Sequence, residues 1–111
     1  MYYMHIILLE KCQYSELVYD LVNKYNIKSK FTHVSYAEKN KFKSIDIATY
    51  PQIYMKRYNK HDSFLIGGYD NLNELCTLFY KKQYNIHNVE KMMTKYNMSK
   101  KLILRFIELI N

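Results

Sequence analysis

The spacing of apolar residues divides this chain into short strands and amphipathic helices. The stretch YMHIILLE near the start is almost continuously apolar, which predicts a strand covered on both faces. From Ser15 onward, apolar residues recur every three or four positions, which predicts a helix that ends near Asn26. Residues 30–36, KFTHVSY, predict a second strand, and residues 37–47, AEKNKFKSIDI, predict a short, weakly apolar helix.

The second half of the chain contains a predicted hairpin followed by helices. The stretches PQIYMKRY and DSFLIGG predict two strands joined by a polar turn, and the next helix begins near Asp70. Its apolar residues recur at helical spacing: Leu72, Leu75, Cys76 and Phe79. Two more helices are predicted in NVEKMMTKY and SKKLILRFIELI, with Asn88 and Ser99 as their N-caps. This element order predicts an α/β fold with a parallel crossover first and a hairpin last.

A length of 111 residues suits one domain with a hydrophobic core of its own. No apolar run approaches the length of a membrane span, and no signal-peptide pattern is visible. Two widely separated cysteines cannot form a dense disulfide framework. We therefore expect a cytoplasmic protein that does not enter a membrane.

The net charge of +7 raises nucleic acid as a partner, but the charge is unevenly distributed. Residues 80–111 contain seven Lys or Arg against two acidic residues, so most of the excess lies in the helical tail. Such an excess on amphipathic helices is typical of a solvated face, and we do not expect specific nucleic-acid binding.

Cys12 is a candidate nucleophile because it lies where the first strand meets the first helix. A helix N-terminus and the neighbouring Lys11 both favour the thiolate, which is the reactive form. Ser15, one turn on, can direct its hydroxyl and N–H toward the sulfur, and Tyr14 can place its ring at the rim. The other interpretation is an inert buried cysteine. Cys76, within an apolar stripe, is predicted to be a small core residue.

Three separated stretches resemble motifs of the glutaredoxin family. These are CQYS at residues 12–15, TYPQIY at 49–54 and GGYDNL at 67–72. The family's patterns are Cys-Pro-Tyr-Cys or Cys-Gly-Phe-Ser, then Thr-Val-Pro-Gln-Ile-Phe, then Gly-Gly-Tyr-Asp-Asp-Leu. The likeness covers about residues 3–82. It implies a thioredoxin-like fold, with a four-stranded mixed sheet in order 2-1-3-4, helices on both faces and a cis peptide bond between Tyr50 and Pro51. We accordingly divide the chain into a glutaredoxin-like domain at residues 1–83 and a C-terminal helical extension at residues 84–111 that packs on it.

The resemblance also implies a glutathione site. In the family, the turn at Pro51 faces the thiol, and the backbone of the preceding residue, here Tyr50, pairs with the glutathione cysteinyl unit. The γ-glutamyl end is held by Gly68, the Tyr69 backbone and the Asp70 carboxylate. A helix start suits a carboxylate, and a neighbouring aspartate suits an ammonium group. Leu9 replaces the family's usual lysine, so we expect the glycine carboxylate to be held either loosely or by one of four other lysines: Lys11, Lys39, Lys41 or Lys43.

The function implied is a monothiol oxidoreductase that reduces glutathione mixed disulfides through Cys12. Ser15 cannot attack sulfur, so a disulfide within the motif is excluded. Its partners are glutathione and glutathionylated proteins. One alternative is a carrier that bridges a [2Fe-2S] cluster between two protomers, with Cys12 and glutathione as ligands. Another is a redox-inactive, glutaredoxin-like binding module. We expect a monomer, or a dimer if a cluster is bound; no other metal site is predicted, since the histidines lack paired ligand spacing.

Overall fold

Four strands and four α-helices form an α/β fold, which a computed structural model describes for residues 1–80 and 85–110. The strands are β1 (Tyr2–Leu9), β2 (Ser29–Val34), β3 (Gln52–Arg57) and β4 (Ser63–Gly67). The helices are α1 (Gln13–Tyr25), α2 (Tyr69–Phe79), α3 (Ile86–Tyr96) and α4 (Lys100–Leu109). None of the helices in these described ranges is long and apolar enough to cross a membrane.

The strands form one mixed sheet in the order β2-β1-β3-β4. β1 lies parallel to β2 and antiparallel to β3, so that Ile6 is paired with both Phe31 and Ile53. β3 and β4 form an antiparallel hairpin with a register shift near Ile53. The predicted fold class is confirmed: the order and directions are those of a thioredoxin-like sheet.

All four helices contribute side chains to one hydrophobic cluster on the first face of the sheet. Met4, Ile6 and Leu8, alternate residues of β1, supply its floor. The helices cover this floor with fully buried side chains: Val18, Leu75, Phe79, Val89, Ile103 and Phe106. The apolar stripes of α3 and α4 are therefore packed within the same core as the sheet. The division placed between residues 83 and 84 falls outside the described residues.

The helix predicted over residues 37–47 is wrong. A short 3-10 helix at Tyr36–Glu38 is followed by turns. The Ser44 hydroxyl accepts hydrogen bonds from the N–H groups of residues 46 and 47, a local arrangement that competes with a helix. In addition, the carbonyls of Lys39 and Phe42 accept hydrogen bonds from the Tyr50 hydroxyl and the Gln52 amide. These carbonyls are therefore bonded to side chains of the next segment.

Because no α-helix forms over residues 37–47, part of the second face of the sheet, the face opposite the hydrophobic cluster, is left open. Near the end of β1, Ile7 is buried, and residues 38–42 lie beside the end of β2. Near the start of β1, Tyr3 and His5 on the same face are only half-buried. The expectations of helices on both faces, and of a first strand covered on both faces, are thus wrong for this end of the sheet.

The caps of the last two helices give one correction and one confirmation. Asn85, not Asn88, is the N-cap of α3, since its side-chain oxygen accepts a hydrogen bond from the Asn88 N–H at 2.8 Å. Ser99 caps α4 as predicted, accepting from the Leu102 N–H at 3.1 Å. Asn88 stands in the first turn, where an asparagine is easily mistaken for the cap itself.

Candidate functional site

Cys12 is the N-cap of α1 and is partly exposed. Its carbonyl accepts the first helical hydrogen bond from the Glu16 N–H, and its side chain makes no capping bond. The thiol donates to the Tyr50 carbonyl oxygen across a distance of 3.8 Å. Lys11 forms the tight turn before it, with a φ of 58°. The structure thus brings together two of the three motif segments, which are 38 residues apart in sequence.

Ser15 is buried, with 3% of its surface exposed. Its hydroxyl accepts a hydrogen bond from the Leu9 N–H at 3.1 Å, which ties the first turn of α1 to the end of β1. This bond gives the serine a positioning role, because it fixes the helix start that carries Cys12. Tyr14, by contrast, is 55% exposed, and its ring lies at the surface.

A groove of about 700 Å³, here called the Tyr50 groove, runs from Tyr14 past residues 46–51 to residues 65–71. Tyr14 and Tyr69 face each other at its rim, with ring centroids 6.3 Å apart. The Tyr50–Pro51 peptide bond is cis, as predicted. Five of the six residues that the resemblance predicts around glutathione line this groove: Tyr50, Pro51, Gly68, Tyr69 and Asp70. The sixth, Lys11, does not line it.

The turn between β4 and α2 is shaped by Asn71, which sequence reasoning missed. Gly67 has a φ of +132°, a conformation that other residues rarely adopt. A Cβ at Gly67 would meet the Asn71 side-chain oxygen at 2.3 Å. That oxygen accepts the Gly68 N–H at 2.9 Å. The capping-box pattern would not have identified Asn71, because it has Ser or Thr at the cap and Glu or Gln three residues later, whereas this turn has Gly68 and Asn71.

Lys11 lies in a different groove from the other predicted residues. This second cavity, the Lys11 groove, also has a volume of about 700 Å³ and lies between the start of α1 and the ends of β1 and β2. Its carboxylates are Glu10, Glu16 and Asp20, which outnumber its one lysine. An anionic ligand is therefore disfavoured there, and Lys11 does not line the Tyr50 groove.

The Tyr50 groove contains two carboxylates, Asp46 and Asp70, and no cation among its lining residues within the described chain. Lys39 lies over the Tyr36 ring at 4.4 Å, and Lys41 lies 3.8 Å from Glu38. Burial raises the pKa of the Tyr54 hydroxyl, with further contributions from Asp46 and Tyr50. The Asp46 charge thus acts on the Tyr54 hydroxyl, outside the groove lining, as well as on the groove itself.

α2 is linked to α3 through Glu74. Its carboxylate contacts the Lys95 ammonium at 2.8 Å and accepts a hydrogen bond from the Tyr96 hydroxyl. Hydrogen bonds from Lys95 and Tyr96 lower the pKa of Glu74. Burial, together with the bond to Glu74, raises the pKa of Tyr96 to about 12. Asn71 lies beside the same hydroxyl, so one residue contacts both α3 and the turn at the Tyr50 groove.

Cys76 is fully buried within the core cluster, and burial raises the pKa of its thiol to about 12. The predicted core role is confirmed. Across residues 1–80 and 85–110, no group of three or more His, Cys, Asp or Glu side chains is arranged to hold a metal ion. Cys12 is accordingly the thiol that a reagent or substrate can reach.

No protein-family model matches this chain, and a search of curated proteins finds no significantly similar sequence.

Proposed function

We propose that this protein is a glutathione-dependent monothiol oxidoreductase that reduces mixed disulfides between glutathione and proteins or small thiols. The observation that carries the proposal is the position of the Cys12 sulfur at a helix start, 3.8 Å from the Tyr50 carbonyl oxygen. This carbonyl lies beside a groove that ends at a second helix start, that of α2. Two unpaired thiols also suit the reducing cytoplasm, which is where we place the activity.

Cys12 acts as the nucleophile, and the thiolate is the form that attacks. The thiolate attacks the glutathione sulfur of the mixed disulfide. A Cys12–glutathione disulfide forms, the original S–S bond breaks, and the other thiol leaves as a thiolate that takes a proton from water. A second glutathione thiolate then attacks the adduct. The attack is on the glutathione sulfur of the adduct, so the two glutathione units leave together as oxidised glutathione and the Cys12 thiolate is restored.

The Tyr50 groove is suited to an extended tripeptide. Its volume of about 700 Å³ falls within the range of small-molecule sites. The Tyr50 backbone can pair with the cysteinyl unit of glutathione. The first-turn N–H groups of α2 have no partner within the helix and can donate to a carboxylate at the γ-glutamyl end. The exposed Asp70 carboxylate can pair with the adjacent ammonium group.

The charges of the groove predict that glutathione binds weakly at its glycine end. Lys11 is one of the four lysines predicted for that carboxylate, yet it lines the other groove, while Asp46 adds a negative charge to this one. Recognition in this proposal therefore depends on backbone groups, the helix start and Asp70. We expect a high KM for the glutathione mixed disulfide.

Mass spectrometry after incubation with oxidised glutathione tests the proposal. We expect one glutathione adduct on Cys12, its absence in Cys12→Ser, and an unchanged adduct in Cys76→Ala, the matched control for the buried thiol. Turnover of a glutathionylated peptide, coupled to glutathione reductase, should be lost in Cys12→Ser and retained in Cys76→Ala. An adduct confined to Cys76, or turnover that survives in Cys12→Ser, contradicts the proposal.

Visible absorption, oligomeric state and turnover, measured on the same purified protein, distinguish the oxidoreductase from the cluster carrier and from the redox-inactive binding module. A [2Fe-2S] carrier predicts visible absorption after anaerobic reconstitution with iron, sulfide and glutathione, together with a dimer that is lost in Cys12→Ala. A redox-inactive binding module predicts neither absorption nor turnover. A colourless monomer that turns over the glutathionylated peptide supports the oxidoreductase.

A further inference from the structure

The second face of the sheet is open near the start of β1, at the end opposite Cys12. We define the open face by six residues: Tyr3, His5, Lys28, Lys30, Lys56 and Tyr58. Register places Tyr3 opposite Lys56, and His5 opposite Lys30, so these four side chains share one side of the sheet. The open face lies roughly 20 Å from the end of β1, at about 3.3 Å per residue.

Two tyrosine rings form the centre of the open face. The Tyr3 and Tyr58 ring centroids are 4.7 Å apart, with an interplanar angle of 40°. Both residues are half-buried, and the Tyr58 N–H donates to the Met1 carbonyl at 3.0 Å. The Tyr58 backbone is thus held against the start of β1. The result is a fixed pair of aromatic rings at the surface of a sheet.

Lysines surround these rings. The Lys30 Nζ lies 5.0 Å from the Tyr3 ring centroid and 5.1 Å from that of Tyr58. The Lys28 Nζ lies 5.0 Å from the Tyr58 centroid. Burial lowers the pKa of His5, and the charges of Lys56 and Lys30 lower it further, which reflects a positive local potential. Among the described residues, the three lysines of the open face have no carboxylate within salt-bridge distance.

A basic pocket lies beside the start of β1, lined by residues of β1, β3 and α4. Its volume is about 490 Å³, and its cations are Lys28, Arg57, Lys101 and Arg105. Arg57 is paired with Asp62 at 3.5 Å, and Arg105 is paired with Glu108 at 3.0 Å. Lys28 lines this pocket and also lies over the Tyr58 ring, so it is shared by the pocket and the open face.

We propose that the open face binds single-stranded nucleic acid without sequence specificity, with bases stacking on Tyr3 and Tyr58 and phosphates pairing with Lys28, Lys30 and Lys56. Lysines alone would bind any polyanion, but an aromatic pair among them matches a ligand that alternates flat rings with negative charges. Bases within a duplex are already stacked, which favours a single strand. The proposed nucleic-acid binding is separate from the proposed redox activity, and the open face lies at the end of the sheet opposite Cys12.

Fluorescence anisotropy with labelled 12-nucleotide oligothymidine and oligouridine tests the proposal on the full chain. Three phosphate contacts predict that affinity falls by roughly 20-fold between 50 and 200 mM salt. Tyr58→Ala should weaken binding by roughly 5- to 150-fold, the loss of one stacked base, whereas Tyr58→Phe should bind as the wild type does. Lys30→Gln should weaken binding and reduce the slope against log salt by about 0.7.

Three controls accompany these variants. Lys91→Gln removes an exposed lysine of α3 and should leave affinity unchanged, as should Cys12→Ser. Circular dichroism establishes that each variant is folded. If Tyr58→Ala is unfolded, the salt slope of Lys30→Gln decides, because that residue is exposed and its replacement should leave the core intact.

Four outcomes would overturn the proposal. They are no binding of either oligonucleotide at 50 mM salt, equal affinity for a 12-base-pair duplex, wild-type affinity in folded Tyr58→Ala, and an unchanged salt slope in Lys30→Gln. Binding to vesicles of phosphatidylserine and phosphatidylcholine in place of the oligonucleotides would identify a lipid surface and would equally refute it.

Discussion

Replacing Gly67 by alanine should destabilise the protein strongly, whereas the same change at Gly68 should not. Gly67 has a φ of +132°, and holding a non-glycine residue in such a conformation costs about 1–3 kcal/mol. The new Cβ would also lie 2.3 Å from the Asn71 oxygen. Asn71 must then move and lose its hydrogen bond to the Gly68 N–H, which costs about 1 kcal/mol. Together these effects predict a loss of about 2–4 kcal/mol.

Gly68→Ala is the matched control. Its Cβ would meet only the Pro51 carbonyl oxygen at 3.6 Å, an ordinary contact, and its φ is −107°. We expect its free energy of unfolding to lie within about 1 kcal/mol of the wild type. Urea denaturation followed by circular dichroism measures both variants. At a typical slope, the Gly67→Ala midpoint should fall by about 1–3 M.

A double variant isolates the clash. Asn71→Ala alone should cost about 1 kcal/mol through the lost cap bond. The combination with Gly67→Ala should be less destabilising than the sum of the two single changes, because the side-chain atoms that collide with the new Cβ are gone. Equal midpoints for Gly67→Ala and Gly68→Ala, or strictly additive losses in the double variant, would refute this account of the turn.

Further predictions concern pH, thiol access and charge. Hydrogen bonds lower the pKa of Glu74. The ionised carboxylate should therefore stabilise the folded protein above pH 4.5, and this stabilisation should be lost as the pH falls further. Its contribution to the free energy of unfolding is under about 1 kcal/mol, because the group is partly exposed. Urea midpoints should show this loss in the wild type and its absence in Glu74→Gln. The pKa of Tyr96 is raised from 10.0 to about 12, so its contribution is complete below pH 10 and lost as the pH rises toward 12; Tyr96→Phe should remove that alkaline loss. Iodoacetamide at pH 8 should label Cys12 alone in the folded protein, and labelling of Cys76 before unfolding would contradict its burial. Asp46→Asn should lower the KM for a glutathione mixed disulfide about two- to fivefold by removing a like charge, and a raised KM would show that Asp46 helps binding.

The strands of the sheet could be predicted from the sequence because the spacing of apolar residues differs between strands and helices. The run at residues 3–10 and the hairpin at 51–68 predicted strands that are present, and α1 follows its stripe. Residues 37–47 were misread because their period is weak and partners distant in sequence decide their structure. No local pattern indicates that Tyr50 and Gln52 will bind the carbonyls of Lys39 and Phe42.

The candidate site was predictable where the motif residues lie at the ends of the elements. Cys12 and Tyr50 meet because the end of β1 and the start of β3 are neighbours in the sheet. Lys11 was misplaced because its left-handed turn sets the direction of the chain, and that turn is not visible in the composition. The open sheet face was also unforeseen, since it follows from the absence of a helix that the sequence had favoured.

The position of β2 at the border of the sheet gives two of its lysines a second consequence. One side of this strand has no neighbour among the described strands, so its free N–H and C=O groups could accept a strand from another molecule. Lys30 lies on that strand, and Lys28 precedes it by one residue. Lysines along an unpaired strand discourage such addition through their charge and solvation. Neutralising both should therefore promote aggregation at high concentration, which light scattering of the Lys28→Gln/Lys30→Gln variant would detect.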